Sequence, residues 1–351
     1  MTEPFPPEPP RLSALRVAAY AMIVAVGGWF LLGQLQVLFR PLLFAVLTTY
    51  ALMPVYHRLR RHLPNSIAVV ALSGVVTLAF AALAVSITAS VLALTEDETN
   101  WRARAMGRVR EVSDWVHSFS FVGPVPEGQK PPEEAFVSRL SDAAVAQLKS
   151  VAVGLPEVFA AGLYLLFLLI ESGRFRTRVW SAYEPARANE IIGVFDQIND
   201  AIISYLRAKT LTSLLLAVPV AIILVAFGVP FAVLWGVLTF VCNFIPYIGT
   251  VVAYSLPVLF ACVEFGFTAQ FALVASLVLA VHLLGAAVVE PMILGKAVGL
   301  SPLVILASLT VWGILWGIPG MFLAVPLTVV VRIVFDHIPS TRPISKLLGG
   351  G

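Results

Sequence analysis

Polar residues interrupt a long apolar stretch of the C-terminal third in the segment NFIPYIGT. Asn243 and Thr250 offer polar side chains, and Pro246 leaves one backbone carbonyl without a helical partner. Gly249 permits a close turn beside Tyr247. The segment could therefore bind a solute, or it could be a proline kink that only shapes packing, because proline and glycine are frequent in membrane helices.

Ionisable residues stand near the end of the next apolar stretch. Glu290 is a candidate functional group because burying its charge in a membrane is costly. Glu290 and Lys296 could instead lie at the membrane interface and extend into water. His282, earlier in the stretch, could carry protons or ions, or only bond a neighbouring helix. The candidate pathway residues of this region are Glu290, Pro291, Gly295, Lys296, Gly299 and Ser301.

A second interruption supplies three further candidates, Gly317, Pro319 and Pro326. A helix broken inside the membrane frees backbone groups that lipid cannot satisfy, so breaks persist where they are packed in protein or line a wet cavity. Transporters commonly place their sites at paired interruptions in two related halves. Residues 228–230 and 317–319 both combine glycine and proline, but the sequences around them do not align, so the evidence for an internal repeat is weak.

Motifs of other functional classes are missing from the sequence. There is no HExxH, no GxSxG, no Walker glycine loop and no histidine cluster with metal-ligand spacing. The two cysteines, Cys242 and Cys262, have no CxxC spacing and are interpreted as buried free thiols. We therefore expect no enzymatic activity, no metal, no cofactor and no ATP-driven pumping.

The composition is that of a membrane protein. Hydrophobic residues make up 59% of the 351 positions and charged residues only 12%. The apolar blocks are long enough to cross a hydrocarbon core of about 30 Å. The net charge of +3 comes from scattered basic residues, so nucleic acid is not an expected partner, whereas the lipid bilayer is.

Eight membrane spans are predicted, in an all-α polytopic fold. Two of them are overlong and are interpreted as broken or re-entrant helices, each counted as one crossing; the count changes if either is a full hairpin. Arginine-rich loops place both termini in the cytoplasm. The predicted spans are 14–33, 37–53, 66–94, 151–170, 210–227, 231–262, 268–289 and 303–335.

The chain divides into four segments on this interpretation. Residues 1–94 hold the N-terminal tail and three spans, and 95–150 form a helical, water-exposed insert outside the cytoplasm. Residues 151–208 hold the fourth span and a cytoplasmic amphipathic helix. Residues 209–351 form the C-terminal bundle with its broken helices and a cytoplasmic tail.

Three tail motifs in this order, NFIPYIGT, PMILGKAVGLSPL and GIPGMFLAVPL, make the chain resemble the autoinducer-2 exporter family of bacterial permeases. The resemblance extends to Leu52-Met53-Pro54 and to Tyr205-Leu206-Arg207, and so covers nearly the whole chain. It implies an eight-span protein of the bacterial inner membrane. The positions to which the family pattern gives weight are Pro246, Gly249, Pro291, Gly295, Gly299, Pro302 and Pro326.

The resemblance also implies transport, either of the quorum-sensing signal autoinducer-2 or of sodium or lithium by antiport with protons. Arg207-Ala208-Lys209 departs from an Arg-Gly-Gln type of sequence, and Gly285-Ala286-Ala287 stands where acid and asparagine side chains are common. These departures argue against a cation site of the family type.

The leading hypothesis is a permease for a small hydrophilic solute or a monovalent cation, with its site at 243–250 and 316–326 and bordered by Glu290 to Ser301. The alternative is a membrane scaffold whose insert, 95–150, docks a partner or closes a homo-oligomer.

Overall fold

The structure is a computed structural model that describes residues 10–95, 103, 104, 106–108, 110, 111, 157–171, 174–294 and 299–349. The regular elements of that part of the chain are helices, and one isolated β-bridge joins Leu300 to Gly349. The predicted all-α class is confirmed.

The helices are numbered in chain order. A π-helical turn, Gly285–Val289, joins α9 to α10. The helices are α1 (Pro10–Gln34), α2 (Gln36–Leu59), α3 (Asn65–Thr95), α4 (Glu157–Glu171), α5 (Phe175–Ala182), α6 (Pro185–Ala226), α7 (Ala232–Cys242), α8 (Ile248–Phe265), α9 (Ala269–Leu284), α10 (Glu290–Leu294), α11 (Pro302–His337) and α12 (Arg342–Leu348).

Within the described residues, six helical segments are long and apolar enough to cross a membrane, and α4 with α5 adds a seventh if this bent pair is one span. The six are in α2, α3, α6, α8, the continuous segment from α9 to α10, and α11. A polytopic membrane bundle is confirmed, whereas the total of eight crossings stays a prediction.

Helix α6 runs without interruption for 42 residues, a length of about 63 Å. The sequence predicts an amphipathic helix that ends at residue 208 and a span that begins at 210, whereas the structure has no break between them. Arg207, Ala208 and Lys209 all favour helix, so the chain has no local reason to stop there. The amphipathic face of the first half therefore continues into the apolar second half.

The stretch 231–262 is an antiparallel pair of helices, α7 and α8, which we call hairpin 1. The ring of Phe260, near the end of α8, lies 5.9 Å from Phe231 and 5.4 Å from Trp235, at the start of α7. One straight helix would separate Phe231 and Phe260 by about 43 Å. The break is predicted at residues 243–250; in the structure the helix is interrupted between Cys242 and Ile248, at the tip of this hairpin.

The stretch 303–335 also folds back on itself and is called hairpin 2. Gly317 leaves the helical conformation, with φ 67° and ψ −144°, and divides α11 into two arms. Arg332 Nη1 donates to the Gly299 carbonyl oxygen at 2.7 Å, although a straight helix would place them about 50 Å apart. Both overlong stretches therefore fold back on themselves, the hairpin alternative that the sequence leaves open, and the number of crossings stays a prediction.

The two hairpins open at opposite ends of the bundle, and their inner parts meet. Gln270 Nε2 lies 3.4 Å from the Phe227 carbonyl, so the open end of hairpin 1 is where α6 ends and α9 begins. The second arm of hairpin 2 instead packs along the earlier part of α6, where Ile202 shares a core cluster with Val329. Near the tip of hairpin 1, Phe244 stacks on Phe322 of hairpin 2, with ring centroids 4.8 Å apart. A spanning helix followed by a hairpin thus occurs twice, in opposite orientation.

Candidate functional site

A buried polar stripe follows one face of α6 through the middle of the bundle. Tyr205, Lys209, Thr212 and Ser213 are all buried, Thr212 and Ser213 completely. Their spacing of three and four residues places them on the same side of the helix. Since their neighbours along the chain are mostly apolar, this stripe is the main concentration of buried side-chain polarity on α6, and we take it as the centre of the candidate site.

The tip of hairpin 1 closes on the stripe through Asn243. Its Nδ2 donates to Ser213 Oγ at 3.0 Å, and both side chains are buried. The following residue, Phe244, contacts hairpin 2 as described above. An amide and a hydroxyl are thus held where α6 and the two hairpins approach one another. The prediction that the NFIPYIGT break carries a functional polar group stays a prediction, but the break does lie beside buried polar partners.

An ion pair lies within the stripe, at Lys209. Lys209 Nζ lies 2.6 Å from Glu290 Oε1, and the two side chains are 4% and 33% exposed. The π-helical turn before Glu290 adds a local bulge to the segment, and such bulges recur at functional sites. Gly285 lets this segment approach α6, because a Cβ there would lie 2.8 Å from a methyl of Leu216.

The Tyr205 hydroxyl is buried and has no hydrogen-bond partner among the described residues. The side chain is only 3% exposed. A buried hydroxyl left without a partner loses a favourable interaction, so it is a natural contact for a bound polar molecule.

The remaining residues of the predicted break have structural positions. Pro246 and Thr250 are partly buried, whereas the Tyr247 side chain is half exposed and its backbone has φ 62°. Gly249 lies so close to the end of α7 that a Cβ would be 1.7 Å from the Cys242 carbonyl oxygen. The close turn expected at Gly249 is therefore present in the structure.

The candidate residues around Glu290 have different positions and roles in the structure. Pro291 is exposed. Ser301 is the N-cap of α11 and accepts a hydrogen bond from the Val304 amide at 3.3 Å, a common stabilising role. Gly299, with φ 58°, presents its carbonyl to Arg332. Gly295 and Lys296 lie outside the described residues.

The candidates of the second break belong to the architecture of hairpin 2. Gly317 forms the turn, and Pro319 is partly buried. Pro326 is buried and borders an apolar cavity of about 210 Å³ between α2, α6 and α11. The cavity is lined by Leu43, Val46, Leu47, Tyr50, Ile198, Ile202, Leu323, Pro326, Leu327 and Val330. None of the three candidates brings a polar side chain to the stripe.

The remaining predicted features are His282 and the insert. His282 is buried, with Nδ1 3.0 Å from the Val278 carbonyl of its own helix and its ring against Tyr254. The insert, 95–150, falls mostly outside the described residues, but Arg104 from its first helical stretch lies 2.5 Å from Glu264 at the end of α8. Among the described residues, no group of three or more metal-binding side chains is found.

Sequence reasoning missed Thr212 and Ser213, and it treated Lys209 only as a departure from a family pattern. The signal was present, because Tyr205, Lys209 and Ser213 recur at helical spacing. A helix boundary predicted at residue 208 separates Tyr205 from Lys209 and Ser213, so the spacing does not stand out in the sequence.

Comparison with known proteins agrees with this architecture. The sequence profile of a family described as AI-2E family transporter matches residues 19–340. A protein of Haemophilus influenzae, described as "Putative transport protein", is 29% identical over 335 residues, covering 94% of each chain. The AI-2 transport protein TqsA of Escherichia coli is 33% identical over 205 residues, 57% of this chain and 58% of TqsA. A relative from Borreliella burgdorferi is 35% identical over 54% of this chain and 52% of its own, so these last two matches span little more than half of each relative.

Proposed function

The chain belongs to the AI-2E family of membrane transporters, and on that premise we propose that it moves a small, uncharged hydrophilic solute such as autoinducer-2 across the bacterial inner membrane. The path runs along the polar stripe of α6, between α6 and the two hairpins. The hairpin tip at Asn243 forms one wall of the path, and the Tyr205 hydroxyl supplies a free polar contact.

The observation that carries this proposal is the bond between Asn243 and Ser213, 3.0 Å long and buried among apolar helices. Buried polar residues in a membrane bundle are expensive and are commonly found on solute or ion paths. Breaks in membrane helices are tolerated where they line a cavity. Since Asn243 is both buried and polar and lies at a break, it meets both conditions.

Two observations favour an uncharged solute over a cation exchanged for protons. The Glu290 carboxylate already has the Lys209 ammonium at 2.6 Å, so the local charges cancel. The E. coli relative is named as an AI-2 transport protein, which is consistent with a small hydrophilic cargo.

Replacing Asn243 by leucine should reduce release of autoinducer-2 from preloaded proteoliposomes about tenfold. Leucine has the branching and the number of side-chain heavy atoms of asparagine but cannot hydrogen-bond, and one lost polar contact of about 1.4 kcal/mol corresponds to that factor. The measurement is initial efflux per reconstituted protein, with empty liposomes as background.

Two further variants separate the path from simple misfolding. The double variant Asn243→Leu/Ser213→Ala removes both partners, so its melting temperature should stay near that of the natural protein while efflux remains low. Gln270→Leu removes an exposed amide at the open end of hairpin 1 and should leave efflux unchanged. Normal efflux by the folded double variant would refute the proposed path.

A further inference from the structure

The pairing of Lys209 with Glu290 joins two residues that are 81 positions apart in the chain and come from different helices. Lys209 belongs to the buried stripe of α6, with its side chain only 4% exposed. Such a lysine cannot extend to the membrane surface as an interfacial lysine does. Its ammonium therefore lies inside the bundle.

The surroundings of the Glu290 carboxylate have the composition of a monovalent-cation site. Carboxylate and hydroxyl oxygens are the ligands that hard cations prefer. Glu290 provides one negative charge. The Tyr205 hydroxyl is buried, has no partner among the described residues and lies one helical turn from Lys209, the partner of Glu290. The single carboxylate charge of Glu290 is balanced by the single positive charge of its partner Lys209.

The ammonium of Lys209 occupies the place at the carboxylate that a free cation would take. The ammonium nitrogen lies 2.6 Å from Oε1, so a sodium or lithium ion at the same carboxylate would be repelled by this positive charge or would have to displace the lysine. Displacement would leave a buried ammonium without a counter-charge, which is strongly unfavourable. A free cation must therefore compete with a covalently tethered one.

We propose that Lys209 acts as a built-in counter-cation for Glu290, so that solute binding and transport by this chain need neither sodium nor lithium. This deepens the proposed function, because it rests on the same stripe of α6 and concerns how that path is neutralised. Lys209 then determines cation independence, and removing its charge exposes a cation site that the natural protein keeps filled.

The test compares the purified full-length protein with Lys209→Gln by thermal melting in sodium, lithium and choline chloride. The natural protein should melt at the same temperature in all three salts. Lys209→Gln should melt about 3 °C higher in sodium or lithium than in choline when the cation exceeds its dissociation constant tenfold. The double variant Lys209→Gln/Glu290→Gln should lose this difference, and Lys209→Arg should not acquire it.

Every other result of the melting experiment either supports or overturns the proposal. A sodium or lithium shift in the natural protein, or a folded Lys209→Gln protein that melts identically in all three salts, overturns it. If Lys209→Gln folds only in sodium or lithium, the proposal is supported; if it folds in none of the three salts, the proposal is overturned.

Flux measurements keep the two proposals apart. Autoinducer-2 efflux through the natural protein should be equal in sodium and choline chloride, whereas efflux through Lys209→Gln should require sodium or lithium. Absence of efflux from the natural protein would refute the proposed solute and leave the cation-binding result intact, because thermal melting does not depend on transport.

Discussion

Replacing Gly249 by alanine is expected to disrupt hairpin 1 and to lower the free energy of unfolding by about 3 kcal/mol. The new Cβ would lie 1.7 Å from the Cys242 carbonyl oxygen and 2.6 Å from its carbonyl carbon. These are backbone atoms, which cannot rotate away as a flexible side chain can. The end of α7 and the start of α8 would have to separate, which would also move Asn243 away from Ser213. The measurement is the thermal melting of the detergent-purified protein.

A matched glycine on α6 provides the control. Gly193 has no heavy atom of another residue within 4 Å of an added Cβ, so Gly193→Ala should be neutral or stabilise the helix by about 0.5 to 1 kcal/mol. Gly320→Ala should resemble Gly249→Ala, because its Cβ would lie 1.9 Å from the Trp312 carbonyl oxygen. If Gly249→Ala melted like the natural protein, the two arms of hairpin 1 could not be in this contact.

This expectation changes how variants at the break should be interpreted. From sequence alone, loss of transport after substitution of Gly249 would identify a binding site. In the structure Gly249 presents no group to the stripe; it allows two helix ends to touch. Substitution of Asn243 is therefore the better test of the path, whereas substitution of Gly249 tests the hairpin that positions Asn243.

Local signals in the sequence located the interruptions correctly. Proline and glycine mark both hairpin turns, and the turn of hairpin 2 falls on Gly317, one of the candidates. What these signals do not contain is the direction of the chain after a break. Whether two helices continue or fold back depends on contacts between distant residues, such as Arg332 with Gly299, that no local pattern encodes.

The contact between Lys209 and Glu290 also could not be predicted from local sequence patterns. Glu290 was identified as a candidate because a carboxylate in an apolar stretch is unusual. Its partner was not, because Lys209 sits at the end of an amphipathic segment and looks like an interfacial lysine. Only the continuity of α6 carries Lys209 into the bundle, and only the packing of α9 and α10 against α6 brings Glu290 to it.

The two hairpins also explain why the stripe can remain polar. The two hairpins insert their turns into the bundle from opposite ends, and the aromatic contact between Phe244 and Phe322 packs the region where they meet. The polar groups of α6 lie beside this region, where protein rather than lipid surrounds them. A solute path at this point costs less than it would on a lipid-facing surface.

Glu290→Gln is expected to destabilise the protein more than substitution of its partner Lys209 does, by about 3 kcal/mol of unfolding free energy. The substitution leaves the Lys209 ammonium without its counter-charge, and that side chain is only 4% exposed. Lys209→Gln should cost less, because the carboxylate it leaves behind is 33% exposed and can be hydrated in part. The asymmetry follows from the unequal burial of the two partners and can be measured by denaturant or thermal unfolding of both variants.

A double-mutant cycle tests whether the pair itself is responsible. Lys209→Gln/Glu290→Gln removes both charges and keeps polar side chains of similar size, so its stability should return to within about 1 kcal/mol of the natural protein. The exposed pair formed by Arg187 and Glu190 is the control, since breaking a surface ion pair should change stability by less than about 1 kcal/mol. If the effects of the two single substitutions were instead additive, Lys209 and Glu290 would not interact, and the charge of the path would have to be balanced by groups other than this pair.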